Sequence, residues 1–178
     1  MKFLNRLTNE GLGTTTVFER PQLVEITPKD HTLLKQYTDQ IIGLYDDFDR
    51  THERFSKPLI HESTLDKRTE YEMLVDDVKR GYLWLYLNQE QEEVVGLIYM
   101  LDSEFKDTGF LSMIIVKESE QNQGYGRYLL KAAERIAKKQ YRWKNLLLGV
   151  SAANSKALKL YRSSGFGTFS FTLMKPLK

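Results

Sequence analysis

Ser112-Met-Ile-Ile-Val-Lys-Glu-Ser-Glu-Gln-Asn-Gln-Gly-Tyr-Gly-Arg-Tyr-Leu-Leu130, continuing as Lys131-Ala-Ala-Glu-Arg-Ile-Ala137, reads as a buried strand, a polar loop and an amphipathic helix. Ile114, Ile115 and Val116 are β-branched residues in an apolar run, the composition of an interior strand. After Gly126 the apolar positions Leu129, Ala132, Ala133, Ile136 and Ala137 fall on one helix face. Between strand and helix, Gln121-Asn122-Gln123-Gly124-Tyr125-Gly126 has the form Gln-x-x-Gly-x-Gly. A loop that opens a helix presents unpaired backbone N–H groups at the positive end of the helix dipole. Such a terminus receives phosphate, and glycines let the backbone approach it closely. The stretch lacks the third glycine of a dinucleotide fingerprint and the Gly-Lys-Ser/Thr of a nucleotide-triphosphate loop.

A second motif follows: Leu148-Gly-Val-Ser-Ala-Ala-Asn-Ser-Lys-Ala-Leu-Lys-Leu-Tyr-Arg-Ser-Ser-Gly-Phe166. It combines a strand end, an Asn-x-x-Ala helix start at Asn154 and Ala157, a tyrosine at Tyr161, and a closing Gly165-Phe166. Together the two motifs resemble the GNAT superfamily of acetyl-CoA-dependent N-acetyltransferases. The resemblance runs from about Gly81 to the C-terminus and is looser before it.

The resemblance implies an α/β (α+β) fold: a mixed, mostly antiparallel sheet of six to seven strands flanked by about four helices. It also implies acetyl-CoA as co-substrate. Its diphosphate would meet backbone N–H groups from Gln121, Asn122, Gln123, Gly124, Tyr125, Gly126 and Arg127. Many relatives carry arginine where this chain has Gln121, so backbone dipoles would carry more of the binding here. The pantetheine arm would run along Ile114, Ile115 and Val116, where two strands part, and Asn154 would hold it near the helix start. A backbone N–H near Met113 or Ile114 would polarise the thioester carbonyl. Tyr161 would protonate the departing thiolate. Asn154 and Tyr161 are seven residues apart, two helical turns, hence about 10 Å along one face. A thiol pKa near ~8.5 against ~10 for phenol makes the tyrosine a workable donor. On its own Tyr161 would read as a packing aromatic, and Asn154 as a simple N-cap.

Composition sets the bounds. The chain has 178 residues, 41% hydrophobic and 28% charged, enough for one domain with a sizeable core. Residues 21–178 read as that domain and 1–20 as an extension of unassigned role. A net charge of +2 does not point to nucleic acid or a membrane as partner. There is no cysteine, which excludes disulfides, thiolate metal sites and cysteine nucleophiles. Lys2 and Arg6 precede no continuous apolar run, so neither a signal peptide nor a membrane span is expected, and the cytoplasm is the default compartment. His31, His52 and His61 lack ligand-like spacing, so no metal is expected, and no Gly-x-Ser-x-Gly elbow is present.

The remaining elements follow from periodicity. Leu23 to Ile26 is a first strand. Thr27-Pro28-Lys29-Asp30 is a helix start, with Thr27 capping and Pro28 in the first helical position. Leu33, Leu34, Tyr37, Ile41, Leu44, Tyr45 and Phe48 trace its apolar stripe, and the helix is expected to end at Tyr45 to Asp49. Acids are unfavourable at a helix C-terminus, so Asp46, Asp47 and Asp49 read either as a solvated end or as an acidic mouth for a cationic amine. Tyr45, Asp46 and Trp84 are the candidate acceptor-site residues. Thr51 to Ser63 reads as a loop, and a helix ending at Arg80 follows, with Gly81 as a left-handed cap. Tyr82 to Leu87 alternates aromatic with leucine, a strand buried on both faces that fits plain core as well as a pocket wall. Val94 to Leu101 and Phe110 to Lys117 complete a meander, Leu146 to Val150 is a further strand, and Phe166 to Lys175 has the alternation of a last strand.

The acceptor is expected to be a small amine, a protein N-terminus or a lysine, and the protein a monomer or homodimer. A catalytically silent CoA-binding protein of the same fold is the alternative reading. Nucleic-acid binding through Arg135, Lys138, Lys139, Arg142 and Lys144 lacks a recognition motif.

Overall fold

A computed structural model describes residues 21–56, 70–88 and 92–173. Its elements are β1 (Gln22–Ile26), α1 (His31–Ser56), α2 (Glu70–Arg80), β2 (Tyr82–Asn88), β3 (Glu93–Asp102), β4 (Thr108–Val116), a 3-10 turn at Glu118–Glu120, α3 (Tyr125–Lys139), β5 (Asn145–Leu148) and α4 (Ser155–Ser163). The sheet order is β1-β2-β3-β4-β5, antiparallel except for the parallel β4–β5 pair.

The alternation in β2 sorts two apolar layers. Leu83, Leu85 and Leu87 face α1 and α2, packing with Leu34, Ile41, Leu44, Leu74 and Val78. Trp84 and Tyr86 point to the other side, where Leu129, Ala133 and Ile136 of α3 cover the sheet. Full burial of each Leu or Ile contributes about 1.5–3 kcal/mol, so these two layers dominate the stability of the scaffold. The alanines of α3 let the helix sit close on the sheet, and Ala132, Ala133 and Ala137 are all buried.

Five strands form among the described residues, against the six to seven expected. The difference is at the C-terminus. Residues 166–173 carry the expected alternation, yet they form no strand, and Phe169, Phe171 and Leu173 are exposed. A period-2 pattern supplies an apolar face but not the pairing: residues 166–173 join neither edge strand, β1 or β5. Residues 174 and 175 of that expected strand, and the extension 1–20, lie outside the described residues.

The first helix differs at both ends. The Asp30 carboxylate accepts from the Thr27 backbone N–H (2.8 Å) and hydroxyl (2.7 Å). That closes a turn at Thr27–Asp30, and the regular helix starts at His31. At the other end α1 runs on to Ser56, so Asp46, Asp47 and Asp49 lie within the helix rather than at its terminus. Arg50 ion-pairs with Asp47 one turn back, which carries the helix through the acidic stretch. Gly81 is not left-handed. It is small because a Cβ would sit 2.6 Å from the Met100 carbonyl oxygen.

Candidate active site

The geometry of the site begins with the way β4 and β5 separate. Their parallel ladder runs Thr108–Asn145, Gly109–Leu146, Phe110–Leu147 and Leu111–Leu148, then stops. β4 continues to Val116 while the other chain turns away through Gly149, Val150 and Ser151. From Ser112 onward β4 therefore has a strand on one side only. Ser112 itself is an extra residue opposite the Tyr99–Met100 step of β3, a β-bulge at the point of parting.

Backbone direction follows from strand alternation. The Lys117 N–H donates to the Val95 carbonyl at 2.9 Å, toward β3. Val116 and Ile114 consequently turn their N–H and C=O groups the other way, into the gap that β5 leaves. The Val116 carbonyl there accepts from Gln121 Nε2 at 3.3 Å. Side chains do not define this wall: Ile115 packs on the α1 layer, and Ile114 and Val116 on the α3 layer.

The gap is a cleft of about 330 Å³. Ser112, Ile114, Ile115, Val116 and Gln121 form one wall, and Gly149, Val150, Ser151, Asn154, Ala157 and Tyr161 the other. Asp47, Phe48 and Arg50 of α1 reach its mouth, with Glu118 on the loop side. Asp47 beside it holds the exposed Arg50 guanidinium above its ordinary pKa.

On the α4 wall, Asn154 Oδ1 accepts from the Ala157 N–H at 3.0 Å, the N-cap its sequence position foretold. Gly165 ends the segment with φ +94°, and the Phe166 N–H returns to the Tyr161 carbonyl at 3.1 Å. These two caps fix where Tyr161 stands. Its ring lies 5.9 Å from that of Phe166, and burial pushes its hydroxyl pKa up. Among the described residues the hydroxyl has no hydrogen-bond partner.

The loop before α3 adjoins the cleft at Gln121. Asn122 (φ +65°) and Gly124 (φ +89°) are both left-handed, and a Cβ on Gly124 would meet nothing within 4 Å. No side chain caps the start of α3. Gly126 packs near Leu160 of α4, and Tyr125 sets its ring edge-on to Tyr86 at 5.5 Å. Gln123 Nε2 donates to Glu120 at 3.2 Å, and Arg127 is exposed.

The acceptor candidates are placed differently. Trp84 is buried on the α3 side of β2, its indole N–H donating to the Tyr141 hydroxyl at 3.4 Å, and it does not line the cleft. Tyr45 turns into the α1–α2 interface, donating to Asp77 Oδ2 at 3.3 Å, and burial raises its pKa. Asp46 is exposed, while its neighbour Asp47 lines the mouth. Ser112, Phe48, Arg50 and the Gly149–Ser151 turn were not read from sequence as site residues. Only Arg50 had a signal there, an acid three residues before it at helical spacing.

With that geometry in view, the family follows. A model described as the acetyltransferase (GNAT) family matches residues 41–166, and the chain belongs to that family. No curated protein matches it in sequence. Solved structures share the fold at low identity. A mutant of the BH1408 protein from Bacillus halodurans is 18% identical with a TM-score of 0.68, covering 88% of this chain and 99% of the other. An aminoglycoside acetyltransferase from an uncultured soil metagenomic sample, in complex with sisomicin, is 15% identical with a TM-score of 0.61, covering 88% and 96%. A ribosomal-protein-alanine N-acetyltransferase from Brucella melitensis biovar Abortus 2308 is 11% identical with a TM-score of 0.59, covering 86% and 99%. No described helix is long and apolar enough to cross a membrane, and no described cluster of His, Asp or Glu could hold a metal ion.

Proposed function

We propose that the protein transfers the acetyl group of acetyl-CoA to a primary amine within the β4–β5 cleft. The observation that carries this reading is the polar backbone of Ile114 and Val116 facing an open gap that also holds Asn154 and Tyr161. A linear chain bearing two amides, such as pantetheine, is the ligand that pairs with a lone strand edge. The fit extends to the diphosphate, because the start of α3 has no capping side chain and two left-handed residues expose its N–H groups.

In this reading a neutral amine nitrogen bonds to the thioester carbon, the C–S bond breaks, and sulfur leaves as thiolate. The proton that the new amide nitrogen sheds passes to solvent water, which later reprotonates Tyr161. The bulge at Ser112 turns backbone N–H groups toward the carbonyl oxygen, where charge develops. Tyr161 gives its proton to the sulfur. Burial raises the tyrosine pKa, but the same dry surroundings raise the proton affinity of a thiolate, so the transfer stays workable. Asp47 at the mouth supports a cationic acceptor. An aminoglycoside acetyltransferase among the proteins of like fold agrees with that class.

The test is thiol release from acetyl-CoA across a panel of amines. Release that depends on a cationic amine supports the reading. Binding of CoA without release for any amine overturns the transfer step.

A further inference from the structure

The loop that this reading assigns to the diphosphate is poor in positive charge. Around it stand Glu118 and Glu120, and position 121 is a neutral glutamine. Lys117 is committed to an ion pair with Glu93. Only Arg127, past the glycines, adds a cation. The loop thus carries two carboxylates, Glu118 and Glu120, ahead of the start of α3 in the chain.

A second cation comes from the opposite wall. Lys156, in the first turn of α4, places Nζ 3.2 Å from Gln121 Oε1, while Gln121 Nε2 donates to the Val116 carbonyl at 3.3 Å. The three residues bridge the cleft from α4 through the loop to β4. Nothing in α4 itself favours lysine there. The first turn of a helix is its positive end, α4 has no acid in that turn, and a cation there is disfavoured. Among the described residues Lys156 makes no ion pair. An anion between the loop and α4 would reverse that balance.

We propose that Lys156 is a diphosphate-binding residue, delivering from α4 the charge that position 121 lacks, with Gln121 as its hydrogen-bond partner. The inference rests on the coenzyme reading above. An ammonium has three donors, so Lys156 can keep its bond to Gln121 and still reach phosphate oxygen. Gln121 Nε2 must leave the Val116 carbonyl, because that carbonyl belongs to the strand edge the pantetheine arm would occupy.

Calorimetric titration of the full chain with CoA tests this, using wild type, Lys156→Gln, Lys156→Arg and the double variant Gln121→Arg/Lys156→Gln. The expected result is a Kd about tenfold weaker for Lys156→Gln, the scale of one lost charge-assisted contact. Lys156→Arg is expected to keep most of the affinity, and the double variant to regain it, with thermal midpoints unchanged throughout. A Lys156→Gln variant that binds like wild type overturns the role of Lys156 and leaves the coenzyme reading standing. So does a loss that neither Lys156→Arg nor the added Gln121→Arg repairs, since that marks a structural role. No binding of CoA by wild type overturns the coenzyme reading itself.

Discussion

Leu111 and Leu148 form the last rung of the parallel ladder between β4 and β5, and beyond this pair the two strands part around the cleft. One short strand thus decides where the site lies. β5 supplies four residues of pairing and then releases β4, whose unpaired edge becomes the wall.

Replacing Tyr161 with Phe keeps the ring that packs on Phe166 and removes the acid. The expected outcome is a fall in kcat of roughly 10²-fold, with the CoA Kd unchanged. Stopped-flow thiol release with calorimetry checks both. The pH profile has a definite sign. A tyrosine whose pKa is raised keeps its proton to higher pH than free phenol, so deprotonation of Tyr161 causes no loss of activity below pH ~10.

Asp47 and Asp46 are neighbours with different surroundings, one lining the cleft mouth and one exposed outside it. Steady-state kinetics with a cationic amine should show the acceptor Michaelis constant rising several-fold in Asp47→Asn and staying at the wild-type value in Asp46→Asn. Equal effects from both would reduce the acidic stretch to a diffuse field.

Asn154 caps α4 through Ala157. Its replacement by Ala is expected to lower unfolding stability by about 1 kcal/mol, read from the denaturant midpoint. Because the cap also sets the helix that carries Tyr161, kcat should fall in the same variant.

Gly109 is covered by the ring of Trp143, where an added Cβ would lie 1.9 Å from Cε3. Gly109→Ala must displace that indole and is expected to cost roughly 1–3 kcal/mol. Gly167→Ala, with nothing within 4 Å of the new atom, serves as the control that leaves the thermal midpoint in place.

Much of this site was legible in the chain because its positions are demanded by backbone geometry. Gly124, Gly165 and Asn154 each do a job that few residues can do, and the structure gives two of them positive φ and the third a capping bond. The alternation of β2 was equally plain, since its five central residues are all buried. That alternation assigned residues to faces without saying which face held the cleft, so Trp84 looked available as a pocket wall. It lies two strands from β4, on the α3 side. The length of α1 was obscured because its apolar stripe stops at Phe48, and the Asp47–Arg50 pair that continues the helix is a side-chain event. The last expected strand failed for a related reason. Phe169, Phe171 and Leu173 have the right spacing, but spacing does not make a segment pair, and residues 166–173 join neither edge strand.

The central claim is that a lone strand edge and an uncapped helix start receive one coenzyme. Amide hydrogen exchange with and without CoA tests it most directly. The account predicts new protection at Ile114, at Val116 and over residues 124–127, with β1 and α2 unchanged. Exchange at those amides that is indifferent to CoA, or protection confined to other parts of the sheet, would contradict it.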